Sequence, residues 1–378
     1  MDLLGAEYSV EQGLSLARRI DPRYRPVFDR LPDRDRAALA LYFLPHGSKK
    51  DVLEVTRPRA LKWYCPFADQ RKFPSGHRYC VNVYAGCEHH CEYCYAAGYV
   101  AQEAHCKNDF RTDFVKDLDE LDAYDVPPAP VHLSNSTDAL QPLEQQHRHT
   151  LFVLEKLAER RHRFTTTTLL TKNPAVLLDP RYVGVLQRLN VLAGDHPRRS
   201  WFKSRGYQPL RIEISLAFYA DEHRQLLDPA APSVGSRMEA IRLLREAGLP
   251  VHVRIDPLFP RDPLSHGKNM RDFGLPDVQS LPDLEALIRF CREAGVRSIV
   301  YSVAKITQPR LGGLSGVMQR MKLVYEHLAP ENVIVFRGGA WRLPDAVAEQ
   351  LVVAPFLDLC RRHSVVARAC KANLISTP

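Results

Sequence analysis

The first 60 or so residues are polar and place their apolar residues at helical spacing, in YSVEQGLSLARRI and DRDRAALALYFL, a pattern that predicts amphipathic helices. From Tyr79 the period changes. Short β-rich runs now alternate with amphipathic stretches, and RYCVNVY, PVHLSNS, FTTTTLLT, LRIEISL, LPVHVRI and VRSIVYSV are six candidate strands. Between them lie the helical segments LEQQHRHTLFVLEKLAERR, PAVLLDPRYVGVLQRL, SVGSRMEAIRLLREAG and LPDLEALIRFCREAG, two of which end at Gly248 and Gly295. Glycine is the usual helix stop, because it adopts the left-handed turn without a side-chain clash.

Six βα units in series predict an α/β fold with a parallel sheet and right-handed crossovers, curled into a partial (βα)6 TIM-type barrel. Its chemistry belongs at the C-terminal ends of the strands. The chain divides into a helical N-terminal extension over residues 1–77, the barrel over 78–305, and a C-terminal extension or cap over 306–378. In that last part GGLSG reads as a flexible connection, FRGGAWR as a turn, and LPDAVAEQLVVAPFLDLCRRH as a helix that caps the barrel or completes its core.

Composition narrows the classes. A chain of 378 residues that is 45% hydrophobic and 25% charged is an ordinary globular protein. It has ample length for a barrel of about 200–250 residues. No apolar run approaches the roughly 18 residues of a membrane-spanning helix, and MDLLGAEYSVEQG lacks the basic-then-apolar order of a signal peptide, so a cytoplasmic location away from the membrane is expected. The net charge of +8 suits a polyanionic partner without requiring one. One loop, GDHPRRSWFKSRGYQP at 194–209, interleaves cations with aromatic rings. That mixture suits phosphates and stacked bases, and equally a solvated basic loop.

Nine cysteines in a chain with no export signal point to metal ligands, reactive thiols or core residues before disulfides. Three of them, Cys87, Cys91 and Cys94, fall within GCEHHCEYCYA, directly after the first predicted strand. The spacing lets one short loop turn three sulfurs toward a common centre, either zinc or an iron-sulfur cluster. A zinc site needs a fourth ligand, and His89 and His90, inside the loop, would be strained in reaching the same ion. A four-iron cluster with three protein ligands leaves one iron open for a small molecule to chelate.

C-x3-C-x2-C with Tyr93 before the last cysteine, at the end of a first barrel strand, resembles the radical SAM superfamily. SNSTDALQPLE, LLTKNP and LLDPAAPSVGSRMEAIRLLREAGLPVHVRIDPLFP extend the likeness over roughly residues 78–305 to the spore photoproduct lyase branch, the DNA repair photolyase-like proteins. The resemblance implies a partial (βα)6 barrel, a [4Fe-4S] cluster on Cys87, Cys91 and Cys94, and S-adenosylmethionine chelated at the open iron. One electron then cleaves that cofactor to methionine and a 5′-deoxyadenosyl radical, and a reducing partner such as flavodoxin or ferredoxin supplies the electron. It also implies cofactor contacts for Tyr93, Tyr95, Asn135, Ser136, Lys172 and Ser215, with Arg254 and Asp256 facing the same mouth.

Two departures bear on the reaction. The relatives' TDPYQP turn is TDALQP here, without its aromatic residue, and the second strand, VHLSNS, carries serines where spore photoproduct lyase has the cysteine that returns a hydrogen atom. A serine O–H bond is too strong to replace a thiol. Cys106 and Cys370 are the candidate replacement donors. Cys80 and Cys291 sit in apolar patterns as core residues, while Cys65, Cys106, Cys360 and Cys370 are the thiols available for a second cluster. The expected activity is hydrogen abstraction from a nucleobase, nucleotide or DNA-lesion substrate. Its rivals are tailoring of a small molecule or sugar nucleoside, by sulfur insertion or dehydrogenation, and a non-catalytic metal-cluster protein that binds nucleic acid.

Overall fold

The computed structural model describes residues 78–123, 129–191, 208–329, 335–337 and 339–370, with short stretches between 14 and 62. The helices expected before residue 60, Cys65 and nearly all of the basic loop at 194–209 lie outside the described residues. In chain order the strands are β1 (Leu61–Lys62), β2 (Tyr79–Val81), β3 (Tyr84–Ala85), β4 (His105–Cys106), β5 (Ala129–Leu133), β6 (Phe164–Thr171), β7 (Leu210–Ser215), β8 (Val251–Leu258), β9 (Ser298–Val303), β10 (Ile306–Thr307), β11 (Val335–Arg337), β12 (Ala340–Arg342) and β13 (Val366–Ala369). The helices are α1 (Phe110–Ala123), α2 (Leu143–His147), α3 (His149–Glu159), α4 (Pro180–Leu189), α5 (Asp221–Leu227), α6 (Val234–Glu246), α7 (Leu281–Glu293), α8 (Gly316–Leu328), α9 (Asp345–Ala348) and α10 (Ala354–Arg362).

One sheet runs in the order β1, β2, β5, β6, β7, β8, β9, β13. All its neighbours are parallel except the β1–β2 pair at one edge. The six predicted strands are thus consecutive in space as well as in sequence, the order that right-handed crossovers produce. Helices α6 and α7 begin at serine caps, with Ser233 accepting from Ser236 N at 3.2 Å and Ser280 from Asp283 N at 3.2 Å. They stop at Gly248 (φ +74°) and Gly295 (φ +71°). Bonds from Leu249 N to Leu244 O (3.1 Å) and from Val296 N to Cys291 O (2.8 Å) close both ends as Schellman turns.

Three sequence readings need correction. RYCVNVY does not continue as one strand: after Val81 the chain leaves the sheet, and Tyr84–Ala85 pair with His105–Cys106 instead. LEQQHRHTLFVLEKLAERR breaks into α2 and α3 at Arg148, whose backbone is left-handed (φ 49°, ψ 37°). FRGGAWR forms the β11–β12 hairpin, which joins β10 in a small three-stranded sheet. The C-terminal segment also extends the barrel, because β13 pairs in parallel with β9 from Val366↔Ser298 to Ala369↔Tyr301. Its short VARA run is too weakly apolar to stand out in a sequence.

Two glycines with positive φ separate backbone strain from collision. A Cβ on Gly248 would meet nothing within 4 Å, whereas one on Gly86 (φ +69°) would lie 2.4 Å from the carbonyl oxygen of Glu103. Gly248→Ala is expected to cost about 1 kcal/mol. Gly86→Ala is expected to cost about 3 kcal/mol, since it adds a backbone clash. Equilibrium denaturation of the two variants checks the ranking, and equal losses would contradict it.

Candidate active site at the barrel mouth

Residues 86–104 form a loop closed at its base by the β3–β4 ribbon, and Gly86 supplies the tight departure that a side chain would block. Inside it, bonds from Cys94 N to Cys91 O (3.1 Å) and Ala97 N to Cys94 O (3.1 Å) wind successive turns. Glu92 N bonds Leu227 O at 2.9 Å, fastening the loop to the end of α5.

The TD-x-x-QP-x-E stretch after β5 is the clamp that holds this loop. Asp138, buried, accepts at Oδ1 from Leu140 N (2.8 Å) and Thr171 Oγ1 (2.8 Å), and its Oδ2 accepts from Lys172 N (2.6 Å) and lies 3.1 Å from His89 Nε2. Burial opposes the charge on Asp138, but the His89 ring and the backbone donors outweigh it and hold the carboxyl below the usual range. Gln141 accepts from Glu88 N at 2.7 Å, and Glu88 in turn accepts from Leu143 N at 2.8 Å. Glu144 accepts from the hydroxyls of Tyr84 and Tyr182, and from Thr150 N (2.8 Å) and Leu151 N (3.0 Å). His89 Nε2 is thus engaged by Asp138, while its Nδ1 is buried without a hydrogen-bond partner among the described residues.

Burial pushes the three thiols up, Cys87 to about 12, with Asp138 adding to the effect on Cys87 and Asp228 to that on Cys91. Thiols so placed are poor nucleophiles and become thiolates on a metal. The donor set fits a cluster held by three cysteines better than it fits covalent catalysis.

Lys172, at the end of β6, reaches Tyr93 Oη (2.8 Å), Ser215 Oγ (3.1 Å) and Asp228 Oδ2 (3.2 Å), and its ammonium lies 5.1 Å from the Tyr93 ring centre. Asp228 also faces Arg237 at 3.7 Å. Burial disfavours the charge on Asp228, yet Lys172 and Arg237 override it and keep the carboxyl low. Two buried cations stand against one carboxylate, and Arg237 Nη2, Ser134 Oγ and Thr137 Oγ1 are buried without a hydrogen-bond partner among the described residues. Such a set suits a bound carboxylate and ammonium. Asp228 and Arg237 lie within the LLDPAAPSVGSRMEA stretch, but only their meeting with Lys172 in space gives them a role.

Tyr93 packs edge-on to Phe218 and Phe259. Tyr95 donates to Asn135 O, Asn135 turns its amide onto Cys80 Sγ, and Tyr99 meets Ser136 Oγ at 3.2 Å. Arg254, on β8, is held between Glu213 (2.6 Å) and Asp256, and Asp256 accepts from Ser302 as well. Burial works against Glu213, but Arg254 more than compensates and draws its carboxyl down to about 2. The same guanidinium donates to Cys370 Sγ at 3.1 Å.

Of the remaining cysteines among the described residues, Cys80 touches the site through Asn135 and the others stand apart from the cysteine loop. Cys291 on α7 and Cys360 on α10 are buried in the helical layer, Cys80 is buried in β2, and Cys106 lies at the β3–β4 ribbon beside His147 and His149. Of the two thiols expected as hydrogen donors, Cys370 alone meets the Arg254 network at the strand ends.

No protein-family model matches the chain. An uncharacterized protein of Methanocaldococcus jannaschii is 23% identical over 208 residues, which are 55% of this chain and 69% of that one. Two variants of spore photoproduct lyase, each 14% identical, superpose with a TM-score of 0.50 over 83% of this chain and 79% of theirs. The fold is that of spore photoproduct lyase. The partial (βα)6 barrel expected from the sequence is the architecture found. A likeness to spore photoproduct lyase at this identity speaks for the fold, and the site must speak for the reaction. No helix among the described residues is long and apolar enough to cross a membrane.

Lys172→Met leaves the fully buried Asp228 with Arg237 as its remaining close cation. Breaking a buried pair in this way is expected to cost about 3–5 kcal/mol. Adding Asp228→Asn to that variant should recover part of the loss. A denaturant-based double-mutant cycle measures this coupling, and additive losses would show that the two groups do not act as a pair.

Proposed function

We propose that this protein is a radical SAM enzyme that holds a [4Fe-4S] cluster on Cys87, Cys91 and Cys94 and acts on a nucleobase, nucleotide or DNA-lesion substrate. The observation that carries this reading is the three-cysteine loop, fixed at the mouth of a parallel barrel by Asp138, Gln141 and the ends of β5 and β6. When bound, cluster and S-adenosylmethionine together supply a 5′-deoxyadenosyl radical, by one-electron cleavage of the sulfonium, that takes hydrogen from carbon.

The chain's own part is binding and orientation. Lys172 and Arg237 face the carboxylate of the cofactor, Asn135 and Ser136 its ammonium, and Ser215 a hydroxyl or carboxylate oxygen. Tyr93, buried, shields the cluster loop from water, and the exposed Tyr95 flanks the third cysteine. Lys305 and Arg342 belong to the same rim as Cys370 and suit a substrate phosphate. Burial, then Arg342, draws the Lys305 amine down to about 8, so this contact weakens as the pH rises through about 8 and the ammonium loses its proton.

Cys370 is the hydrogen donor in this reading. Its S–H bond breaks as a C–H bond forms on the product radical. The thiyl left behind regains an electron from a flavodoxin- or ferredoxin-like partner and a proton from solvent. Arg254 holds the sulfur, and Ser134 and Ser136, just after β5, offer no thiol in its stead.

The test is iron and sulfide content after anaerobic reconstitution, with 5′-deoxyadenosine release under reductant, for the wild type, the Cys87/Cys91/Cys94 triple-alanine variant and Cys370→Ala. About four irons per chain, lost together with deoxyadenosine in the triple variant, is the expected outcome. A wild type without iron would remove the reading. About eight irons falling to about four would favour sulfur insertion or dehydrogenation of a small molecule at a second cluster. Cys370→Ala should keep deoxyadenosine release and lose product formation on a lesion-bearing oligonucleotide, and unchanged product would assign the donor elsewhere. Oligonucleotide binding without a steep salt dependence would favour a small-molecule substrate.

A further inference from the structure

Away from the mouth, on the outer side of the clamp, Cys106, His147 and His149 each offer a ligand atom, and these atoms lie within 4.8 Å of one another. Two features of the chain create the cluster. Cys106 pairs with Tyr84 in the ribbon that closes the cysteine loop, and the Tyr84 hydroxyl accepts from His149 N at 3.4 Å. His147 ends α2 and His149 begins α3, with the left-handed Arg148 between them. In an unbroken helix residues two apart point about 200° away from each other. The break at Arg148 instead brings the rings side by side, 5.8 Å between centres and 24° between planes.

One thiol and two imidazoles are the donors that a borderline-soft divalent ion prefers, and three protein ligands leave a tetrahedral site one open position. Cys106 and His149 are half-buried and His147 is exposed, so an ion has a path in and water has access to the fourth position. We propose that Cys106, His147 and His149 form a zinc site that clips the base of the cysteine loop to the α2–α3 turn.

Arg111 competes for this site. Its Nε donates to His149 Nδ1 at 3.1 Å and its Nη2 to His147 O at 2.7 Å. A neutral ring that accepts there carries its proton on the other nitrogen, so a metal on either nitrogen breaks the Arg111 bond. Guanidinium and zinc are alternatives for one ring. With zinc bound, Cys106 is a metal thiolate and is withdrawn from hydrogen donation. The inference does not depend on the reaction proposed above.

The test is cobalt(II) titration of the full chain carrying the Cys87/Cys91/Cys94 triple-alanine substitution, so that the cluster ligands contribute nothing. The expected result is one cobalt per chain with a thiolate-to-cobalt charge-transfer band and the strong visible absorption of a tetrahedral ion. Adding Cys106→Ser should abolish the charge-transfer band, and His149→Ala should weaken binding by at least about tenfold. Arg111→Ala should tighten it by about fivefold, the worth of one exposed hydrogen bond. Cobalt that binds without the thiolate band, or a band that survives Cys106→Ser, overturns the assignment. Loss of binding in Arg111→Ala would likewise remove the competition.

Discussion

The carboxylate of Asp138 takes hydrogen bonds from the backbone of its own turn, from the hydroxyl of Thr171 and the amide of Lys172 at the end of β6, and meets the ring of His89 in the cysteine loop. Three pieces of chain far apart in sequence share one buried charge. An ion in such a place is tolerable only when its lone pairs are nearly all used. That requirement makes the junction rigid: the loop cannot shift without stranding the carboxylate, and the strand end that positions Lys172 is fixed by the same bonds. Gln141 and Glu144 repeat the device on either side, the first on Glu88 and the second on two tyrosines and the start of α3.

The mouth is organised by two further buried charge sets. Lys172, Asp228 and Arg237 carry a surplus of positive charge next to the thiols, whereas the Glu213 and Asp256 carboxylates on the Cys370 side are balanced by Arg211 and Arg254. Hydrophobic residues of similar volume would give a core at least as stable. Ion sets of different balance instead give the mouth two unlike halves, one matched to an anion and the other able to orient a thiol. The aromatic floor of Tyr93, Phe218 and Phe259 lowers the local dielectric beside Lys172 and strengthens the first set.

The barrel was legible because short β-rich runs alternate with stretches of helical period, and glycines punctuate the helix ends. The three ligand cysteines were legible because they are close in sequence. Side chains that act only by meeting in space were not. Asp228 looks like a turn former before Pro229, and nothing local reveals that it faces Lys172 and Cys91. By sequence His89 is only a strained zinc ligand, and nothing local reveals that it meets Asp138. Arg148 is an ordinary helical residue by propensity, so the break between α2 and α3 was hidden. Cys370 was singled out, but its setting depends on β13, whose VARA run is too short and mixed to announce a parallel strand.

That last strand has a consequence for the order in which the protein matures. On the ribosome, the cysteine loop and the six strands of the predicted barrel emerge before Val366–Ala369. Until those residues add to β9, that edge keeps unpaired backbone groups, and Arg254 lacks the sulfur that it holds in the finished fold. The loop that would carry the cluster is complete well before the thiol at the rim is delivered. The docking of one four-residue strand therefore separates a chain whose cysteine loop is complete from one that also sets the Cys370 thiol against Arg254.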